Sequence, residues 1–575
     1  MAAVCGGDSR RGARGIGCAA VAIEVRRSES QESTPRDRAR IGGAGRPGVE
    51  VVRHGGAIVG PDGFADKARA LIFTATSHAT HSGFTAPGTA VDKKPLIDFN
   101  DSNGGFAMPA QLTRRRFVEG SAAIGAGLTL GGPISALAAR SGSPRTRRTR
   151  GYGQLAPAPE QGSGLDWLEL PPGFRYRIIS RQGEPMDDGN PTPGIFDGMA
   201  AFDGPGNTTV LIRNHENRSR AGEIPVVVPR SRQYDRDPDT RGGNTKLVVS
   251  RQRELLESFA VLGGTHTNCA GGATPWGTWI TCEEIFNYGS ASSAPPGTPH
   301  GYMFEVPADA DGPVSPLPVN DAGRFSHEAV AWLRGALYET EDRGDACFYR
   351  FLPDREPREF GDLAAFGGRL EALAVRGRPN FDMNTAHPGE EYAVEWVEIE
   401  DPDPVEDTVR VEAQSKGAAI FDRTEGIWPT DRRVYFDCTS GGEAGLGQLW
   451  EFTPSGRRGG RLRLIYESTS VDDLEAPDNL VVVPQTGHVF LQEDSDGEQF
   501  VRGVDRRGRI YDFARTRLSS FEFCGGCFSP DGRTFFLNQQ GGRQDGGSAG
   551  SDPLDPPDES AAVTYAIWGP FDELA

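Results

Sequence analysis

From about residue 166 onward the chain repeats one local pattern: a Gly/Pro/Asp turn, an alternating apolar stretch, then a polar or acidic end. Alternation with period two predicts half-buried strands, and the turn residues predict tight hairpins. Six copies are legible. They are Gly204-Pro205-Gly206-Asn207 leading through Val210-Leu211-Ile212 to Glu216; Pro275-Trp276-Gly277 through Trp279-Ile280 to Glu284; and Arg334-Gly335 through Leu337-Tyr338 to Asp342. The others are Asp431-Arg432 through Val434-Tyr435-Phe436 to Asp437-Cys438; Gln485-Thr486-Gly487 through Val489-Phe490-Leu491 to Asp494; and Pro530-Asp531-Gly532 through Phe535-Phe536-Leu537 to Gln539. Successive copies start roughly 45 to 100 residues apart, which suits four-stranded units with variable loops. The predicted fold is all-β, a six-bladed β-propeller with irregular insertions; a β-sandwich would not need the same pattern six times. If every copy holds the same place in its blade, the polar ends converge at one mouth of the central channel. Glu216, Glu284, Asp342 and Asp494 would then form a ring. Helical periods are scarce, and residues 363–373 read as a short helical insertion.

Composition sharpens this picture. The 76 glycines and 42 prolines among 575 residues recur between short apolar runs, as a turn-rich β architecture requires. The net charge is −19, and residues 139–575 carry 44 basic against 68 acidic side chains. General electrostatic binding to nucleic acid or to an anionic membrane is therefore disfavoured, whereas a cation-binding surface fits. No run of about twenty apolar residues in this acidic body is long enough to span a bilayer.

The N-terminal part reads differently. Thr113-Arg114-Arg115-Arg116-Phe117-Val118 is followed by a weakly apolar Gly/Ala stretch and by Ala136-Leu137-Ala138. Paired arginines, a mild hydrophobic core and an A-x-A site resemble a twin-arginine signal peptide, which predicts the twin-arginine machinery as a partner and an exported, periplasmic or extracellular, location. Met108 lies where such a signal would start. The expected division is a mis-assigned start or disordered extension over 1–107, the signal over 108–138, a linker over 139–165 and the propeller over 166–575.

Several carboxylates cannot share a small pocket ionised: they take up protons or enclose cations. Oxygen ligands suit Ca²⁺, and a thiolate among them suits iron. The densest constellation is Gly263-Gly264-Thr265-His266-Thr267-Asn268-Cys269-Ala270-Gly271-Gly272, continuing to Thr281-Cys282-Glu283-Glu284. Its glycines permit close backbone approach. Cys269 has three readings on residue type alone: a disulfide with Cys282, slightly favoured in an oxidising compartment, a simply buried thiol, or a metal thiolate. Cys524-Gly525-Gly526-Cys527 likewise suits a small-loop disulfide or two ligands.

The segment 263–284 resembles the signature of PhoX-type alkaline phosphatases, exported twin-arginine proteins with a six-bladed propeller. Leu170-Pro171-Pro172-Gly173-Phe174, Asp197-Gly198-Met199, Arg213-Asn214-His215-Glu216, Gly323-Arg324-Phe325-Ser326-His327-Glu328, Arg423-Thr424-Glu425-Gly426 and Phe528-Ser529-Pro530-Asp531-Gly532 support it, so the resemblance covers most of the body. It implies a phosphate-monoester hydrolase with iron (Fe³⁺) and calcium (Ca²⁺) on the propeller axis. Cys269 would be the thiolate shared by the irons, with Glu284 and Glu328 as further iron ligands. Arg423 would hold phosphate oxygens, and Cys269 and Glu284 would join it in the catalytic set. Glu425 and Glu522 would bind calcium. Glu216, Asp342 and Asp494 rest on the ring argument. The chain departs from the family pattern at Thr424, where proline is usual.

His215, His266 and His327 each neighbour a better oxygen or sulfur ligand, so they read as orienting or packing groups. The acidic run 398–406 reads as a solvated loop. No P-loop, dinucleotide fingerprint or serine nucleophile elbow is present. Two other functions compete with phosphate-ester hydrolysis: a non-catalytic calcium-binding propeller that takes a ligand or partner at the channel mouth, and a lactonase-like sugar hydrolase, which has no use for Cys269 or the Arg-x-Glu pair.

Overall fold

The computed structural model describes residues 150–218, 220, 222–288, 297–495, 497–542 and 561–574. The predicted signal at 108–138, the extension 1–107 and the first eleven residues of the predicted linker lie outside them.

The regular secondary structure of the described residues is mostly strand, arranged as antiparallel meanders. The first contains Phe196–Gly204, Thr208–His215, Gly242–Val249 and Leu255–Thr265. The second has three strands, Asn268–Ala273, Thr278–Glu283 and Met303–Pro307. The third is His327–Leu333, Ala336–Glu341, Tyr349–Pro353 and Gly368–Val375. The fourth is Thr424–Pro429, Val434–Cys438, Gln448–Pro454 and Gly460–Glu467. Strand Glu391–Glu398 pairs with the last strand of both, fusing third and fourth into one nine-stranded sheet. The fifth is Pro477–Val482, Val489–Glu493, Phe500–Val504 and Ile510–Thr516. The sixth takes Phe523–Phe528, Phe535–Gln539 and Val563–Trp568 from the C-terminal end and Arg175–Arg181 from the beginning of the fold.

The arrangement is propeller-like. The first strand of each meander touches the first strand of the next, and Phe523–Phe528 returns to Phe196–Gly204, so these strands form a closed cycle. Closure of the sixth meander by Arg175–Arg181 ties the two ends of the fold together and leaves no open seam there. Apolar clusters fill the spaces between meanders. Phe348, Phe436 and Trp450 stack between third and fourth, and Phe174, Phe490 and Phe513 pack between fifth and sixth. Large side chains buried this completely contribute roughly 1.5–3 kcal/mol each.

Each of the six turn-strand-acid repeats forms the hairpin from first to second strand of its meander, so the copies occupy equivalent positions. Two expectations need correction. Residues 150–165 are built into the fold rather than serving as linker: Tyr152 is core, and Ala156–Ala158 pairs with Leu168–Leu170 on the edge of the fifth meander. Of the helix expected at 363–373 only α1, Asp362–Phe366, forms; Gly367 turns the chain with φ of 65° and Gly368–Val375 is a strand. The acidic run 398–406 is mostly exposed, as a solvated loop should be, and is anchored where Arg324 donates to the carbonyls of Pro402 and Pro404.

Candidate functional site

Every meander breaks register between its first and second strands, near the axis. The breaks fall between Phe196 and Met199, Asn268 and Gly271, His327 and Val330, Thr424 and Ile427, Pro477 and Asn479, and Cys524 and Cys527. A β-bulge re-aims the extra residue out of the ladder. The residues so displaced are Asp197, Cys269, Glu328, Glu425 and Asp478, with Gly525-Gly526 in the sixth position, and the five side chains are buried. Four bulges are entered through a non-glycine residue at positive φ: Ile195 at 48°, Thr267 at 50°, Arg423 at 54° and Ala476 at 48°. Such left-handed conformations are strained and cluster at functional sites. Glycine explains how neighbouring bulges fit, because a Cβ on Gly198 would lie 2.5 Å from the Ala270 Cα and one on Gly525 only 2.3 Å from the Asp197 carbonyl oxygen.

The second strands supply an outer layer at their ends. Glu216, Glu284, Asp342 and Asp494 stand there, with Thr439 and Gln540 in the two remaining places. Both layers open on one cavity of about 240 Å³. All nine residues singled out in the sequence line it: Cys269, Glu284, Glu328, Arg423, Glu425, Asp342, Asp494, Glu522 and Glu216. Asp478 and Arg218 line it too, and Asp197 sits deeper, its carboxylate 3.8 Å from the Cys269 sulfur. Sequence reasoning passed over these three. Two of them carried a local signal: the acid-Gly pair Asp197-Gly198, like Glu425-Gly426, and Glu216-Asn217-Arg218, which reverses the spacing of Arg423-Thr424-Glu425; Asp478 carried none. A larger cavity, about 800 Å³, lies against Arg150, Phe500 and Arg502 on the fifth meander and contains no comparable carboxylate cluster.

Cys269 is a free thiol 3.0 Å from Glu328 Oε1. The disulfide with Cys282 does not form. Cys269 projects from the bulge toward the axis, whereas Cys282 points into the apolar cluster of Ile280, Met303 and Leu337. Cys524 and Cys527 are also unbonded: Cys524 Sγ meets the Phe196 carbonyl at 3.1 Å, and Cys527 packs with Ile179 and Met199. All six cysteines of the described residues are buried and free.

The cluster is electrostatically overloaded with negative charge. Burial, and then the neighbouring carboxylates of Glu216 and Asp478, push the Asp197 carboxyl well above its ordinary range. Burial with Asp342 and Glu216 does the same to Glu284; burial with Asp478 and Glu284, to Glu328; burial with Asp494 and Asp478, to Glu522. The Cys269 thiol is pushed up by burial and then by Asp197 and Glu328. These groups cannot all ionise unless positive charge joins them. Two arginines provide some. Arg423 donates through Nε to Asp342 Oδ1 at 2.6 Å and through a terminal nitrogen to Oδ2 at 3.2 Å, and it pairs with Glu425. Arg218 pairs with Glu216 and reaches Glu284 at 3.3 Å. Burial opposes both charges, but the facing carboxylates outweigh it and hold both guanidinium groups protonated.

Three sets of ligand atoms lie within 4.8 Å of one another: Cys269 with Glu284 and Glu328, Cys269 with Asp197 and Glu216, and Asp197 with Glu522 and Cys524. The donor chemistry fits cations, and one sulfur is common to two sets. The histidines fall outside. His215 bonds the Gly194 carbonyl and Thr245, and His327 bonds the Gly323 carbonyl. Between Arg423 and Glu425 stands Thr424, whose hydroxyl accepts from the Glu341 amide at 2.9 Å.

The family model for the alkaline phosphatase PhoX matches residues 150–260 and 253–542. The chain belongs to the PhoX alkaline phosphatase family. Among solved structures, PhoX of Pseudomonas fluorescens in complex with vanadate, a transition state analogue, is similar to this chain with a TM-score of 0.55 at 18% identity, covering 74% of this chain and 98% of that one. At that identity the likeness to PhoX speaks for the fold. A gluconolactonase from Xanthomonas campestris aligns at 13% identity over 74% of this chain and all of its own, with a TM-score of 0.32. No curated protein matches the chain.

Proposed function

We propose that this member of the PhoX family hydrolyses phosphate monoesters at the mouth of a six-bladed propeller, with iron and calcium ions held by the converging side chains. The closed cycle of six first strands supports the blade count. The observation that carries the chemistry is the Cys269 thiol, shared between two sets of buried carboxylates in a cavity lined by two arginines. Cys269, Glu284, Glu328, Asp197 and Glu216 would hold iron, the set in which a soft ligand joins hard ones. Glu425, Asp342, Asp494, Glu522 and Asp478 offer oxygen only and would hold calcium. When bound, such ions supply charge neutralisation on the transferring phosphoryl group and an acidified water as nucleophile.

The chain's own residues do the rest. Arg423, held by Asp342 at 2.6 Å, would turn its remaining guanidinium donors to the phosphoryl oxygens, and Arg218, 3.3 Å from Glu284, would add a second guanidinium to the same cavity. Their charges neutralise the substrate dianion and stabilise the negative charge on the transferring phosphoryl oxygens as the ester bond breaks. Burial of the carboxylates around them keeps water from screening that interaction. In the overall reaction the water oxygen bonds to phosphorus, the ester P–O bond breaks, and the alcohol departs with a proton. The twin-arginine segment adds export to the proposal, with the acidic body acting outside the cytoplasm.

Release of phosphate from a chromogenic phosphate monoester tests the reading. Hydrolysis is expected, lost on chelation and reduced in Arg423→Ala. Unchanged hydrolysis in Arg423→Ala removes the phosphate clamp. Calcium and iron counted per chain test the metal assignment, and purified protein that binds calcium without iron and releases no phosphate would be a binding module.

A further inference from the structure

Two residues before each mouth residue, second to last in the second strands, stand Asn214, Cys282, Thr340, Asp437, Gln492 and Asn538. Positions two apart share one face of a strand, so these side chains lie beneath the mouth residues. Four of them reach across to the neighbouring bulge. Asn214 Nδ2 donates to the carbonyls of Cys269 and Ala270, each at 2.8 Å. Thr340 Oγ1 donates to the Glu425 carbonyl at 2.6 Å and accepts from the Ala329 amide of its own bulge at 3.0 Å. Gln492 Oε1 accepts from the Gly526 amide at 2.7 Å, and Asn538 Nδ2 donates to the Asp197 carbonyl at 2.6 Å.

We infer that these side chains form a circumferential clasp that sets where each bulge residue points, and that Asn214 is the positioning residue for Cys269. The inference rests on Cys269 being a ligand, as proposed above. A bulge has lost its ladder partner, so its peptide groups need another source of hydrogen bonds when buried. Asn214 supplies them in one orientation only. Its Oδ1 accepts from Trp279 Nε1 at 2.8 Å and Thr281 Oγ1 at 3.0 Å, and from Asn244. An indole N–H is only a donor, so the oxygen must face Trp279 and the amide nitrogen must face the Cys269 bulge. Trp279 and Thr281 belong to the second meander themselves, which locks Asn214 to the hairpin whose bulge it holds.

Alkylation of the chelator-stripped full chain by iodoacetamide, followed peptide by peptide, tests the clasp. Asn214→Asp keeps the shape and the oxygen but removes both donors. Cys269 is expected to label about tenfold faster in this variant, with the core thiols Cys282 and Cys347 unchanged. In the metal-loaded enzyme kcat is expected to fall about 10- to 100-fold with little change in KM, as for outer groups that orient ligands. Equal acceleration of all three thiols, or none, overturns the inference. If Asn214→Asp does not fold, Thr340→Val is read instead by hydrogen exchange: the Ala329 amide must exchange about tenfold faster, with other amides of the third meander unaffected, or the clasp is rejected. Selective exposure of Cys269 in a chain that releases no phosphate would keep the clasp and refute the phosphatase reading.

Discussion

The second and sixth meanders use the same backbone device for different ends. In the second, the bulge carries Cys269 and the strand end carries Glu284; in the sixth, the corresponding places hold Gly525-Gly526 and Gln540. Both bulges are fully formed, both sit at the axis, and both are hydrogen-bonded to the preceding meander, with Asn214 donating in one case and Gln492 accepting in the other. The scaffold therefore does not depend on a ligand being present at the bulge. Chemistry is added to it one side chain at a time. The sixth meander instead contributes closeness: Gly525, with φ of 61°, packs against the Asp197 carbonyl, and Gln540 bonds Asp197 and Glu216 at 3.1 and 2.8 Å.

That contrast can be broken at four points. The largest effect is expected at the chemical bulges: Cys269→Ala and Glu328→Gln should each lower the rate of phosphate release by about 10²- to 10³-fold, the loss typical of removing one preorganised electrostatic partner, while circular dichroism stays unchanged. If either variant unfolds instead, the scaffold is not independent of its ligands. Next, Gly525→Ala should cost about 2–4 kcal/mol in urea unfolding, because it combines overpacking with a left-handed φ. A cost below about 1 kcal/mol would show that the Asp197 peptide gives way easily.

Chelation should act more strongly at alkaline pH. Buried carboxyls with raised folded values, such as Glu284 and Glu328, favour the folded state while protonated, a contribution present below their ordinary value of 4.5 and lost as pH rises through the raised ones. The stripped protein should therefore melt lower at pH 9 than at pH 6, with added Ca²⁺ closing the gap. Equal melting at both pH values would remove the charge-overload argument. The smallest effect is expected away from the cavity, at His300, whose Nδ1 lies 2.7 Å from Glu283 and whose Nε2 lies 3.4 Å from Asp235. Burial opposes its charge, yet Glu283 and Asp235 raise its value from 6.5 to about 9. Its contribution is complete below 6.5 and fades as pH climbs through about 9, so His300→Gln should flatten the fall in Tm over that window.

The hairpins were the most legible part of the molecule, because a turn, an alternating strand and an acidic end are all local. Equivalence of the six copies predicted the mouth residues Glu216, Glu284, Asp342 and Asp494, and the same cavity receives Cys269, Glu328, Arg423, Glu425 and Glu522. Asp197 and Asp478 escaped notice because a bulge is a mismatch between two strands, which no single strand records. Arg218 escaped because its Glu-x-Arg spacing with Glu216 does not by itself say that the side chain folds back over Glu216 and Glu284.

The amino-acid order alone determined that this chain is built of repeated acidic-ended hairpins, and which side chains are chemically able to grip cations. Only the tertiary structure decided that Cys269 and Cys282, neighbours across one hairpin, face opposite ways, one to the axis and one to the core. The physical reason is register. A period-two strand assigns every side chain to a face, and a single bulge, fixed by hydrogen bonds to the preceding meander, reassigns it.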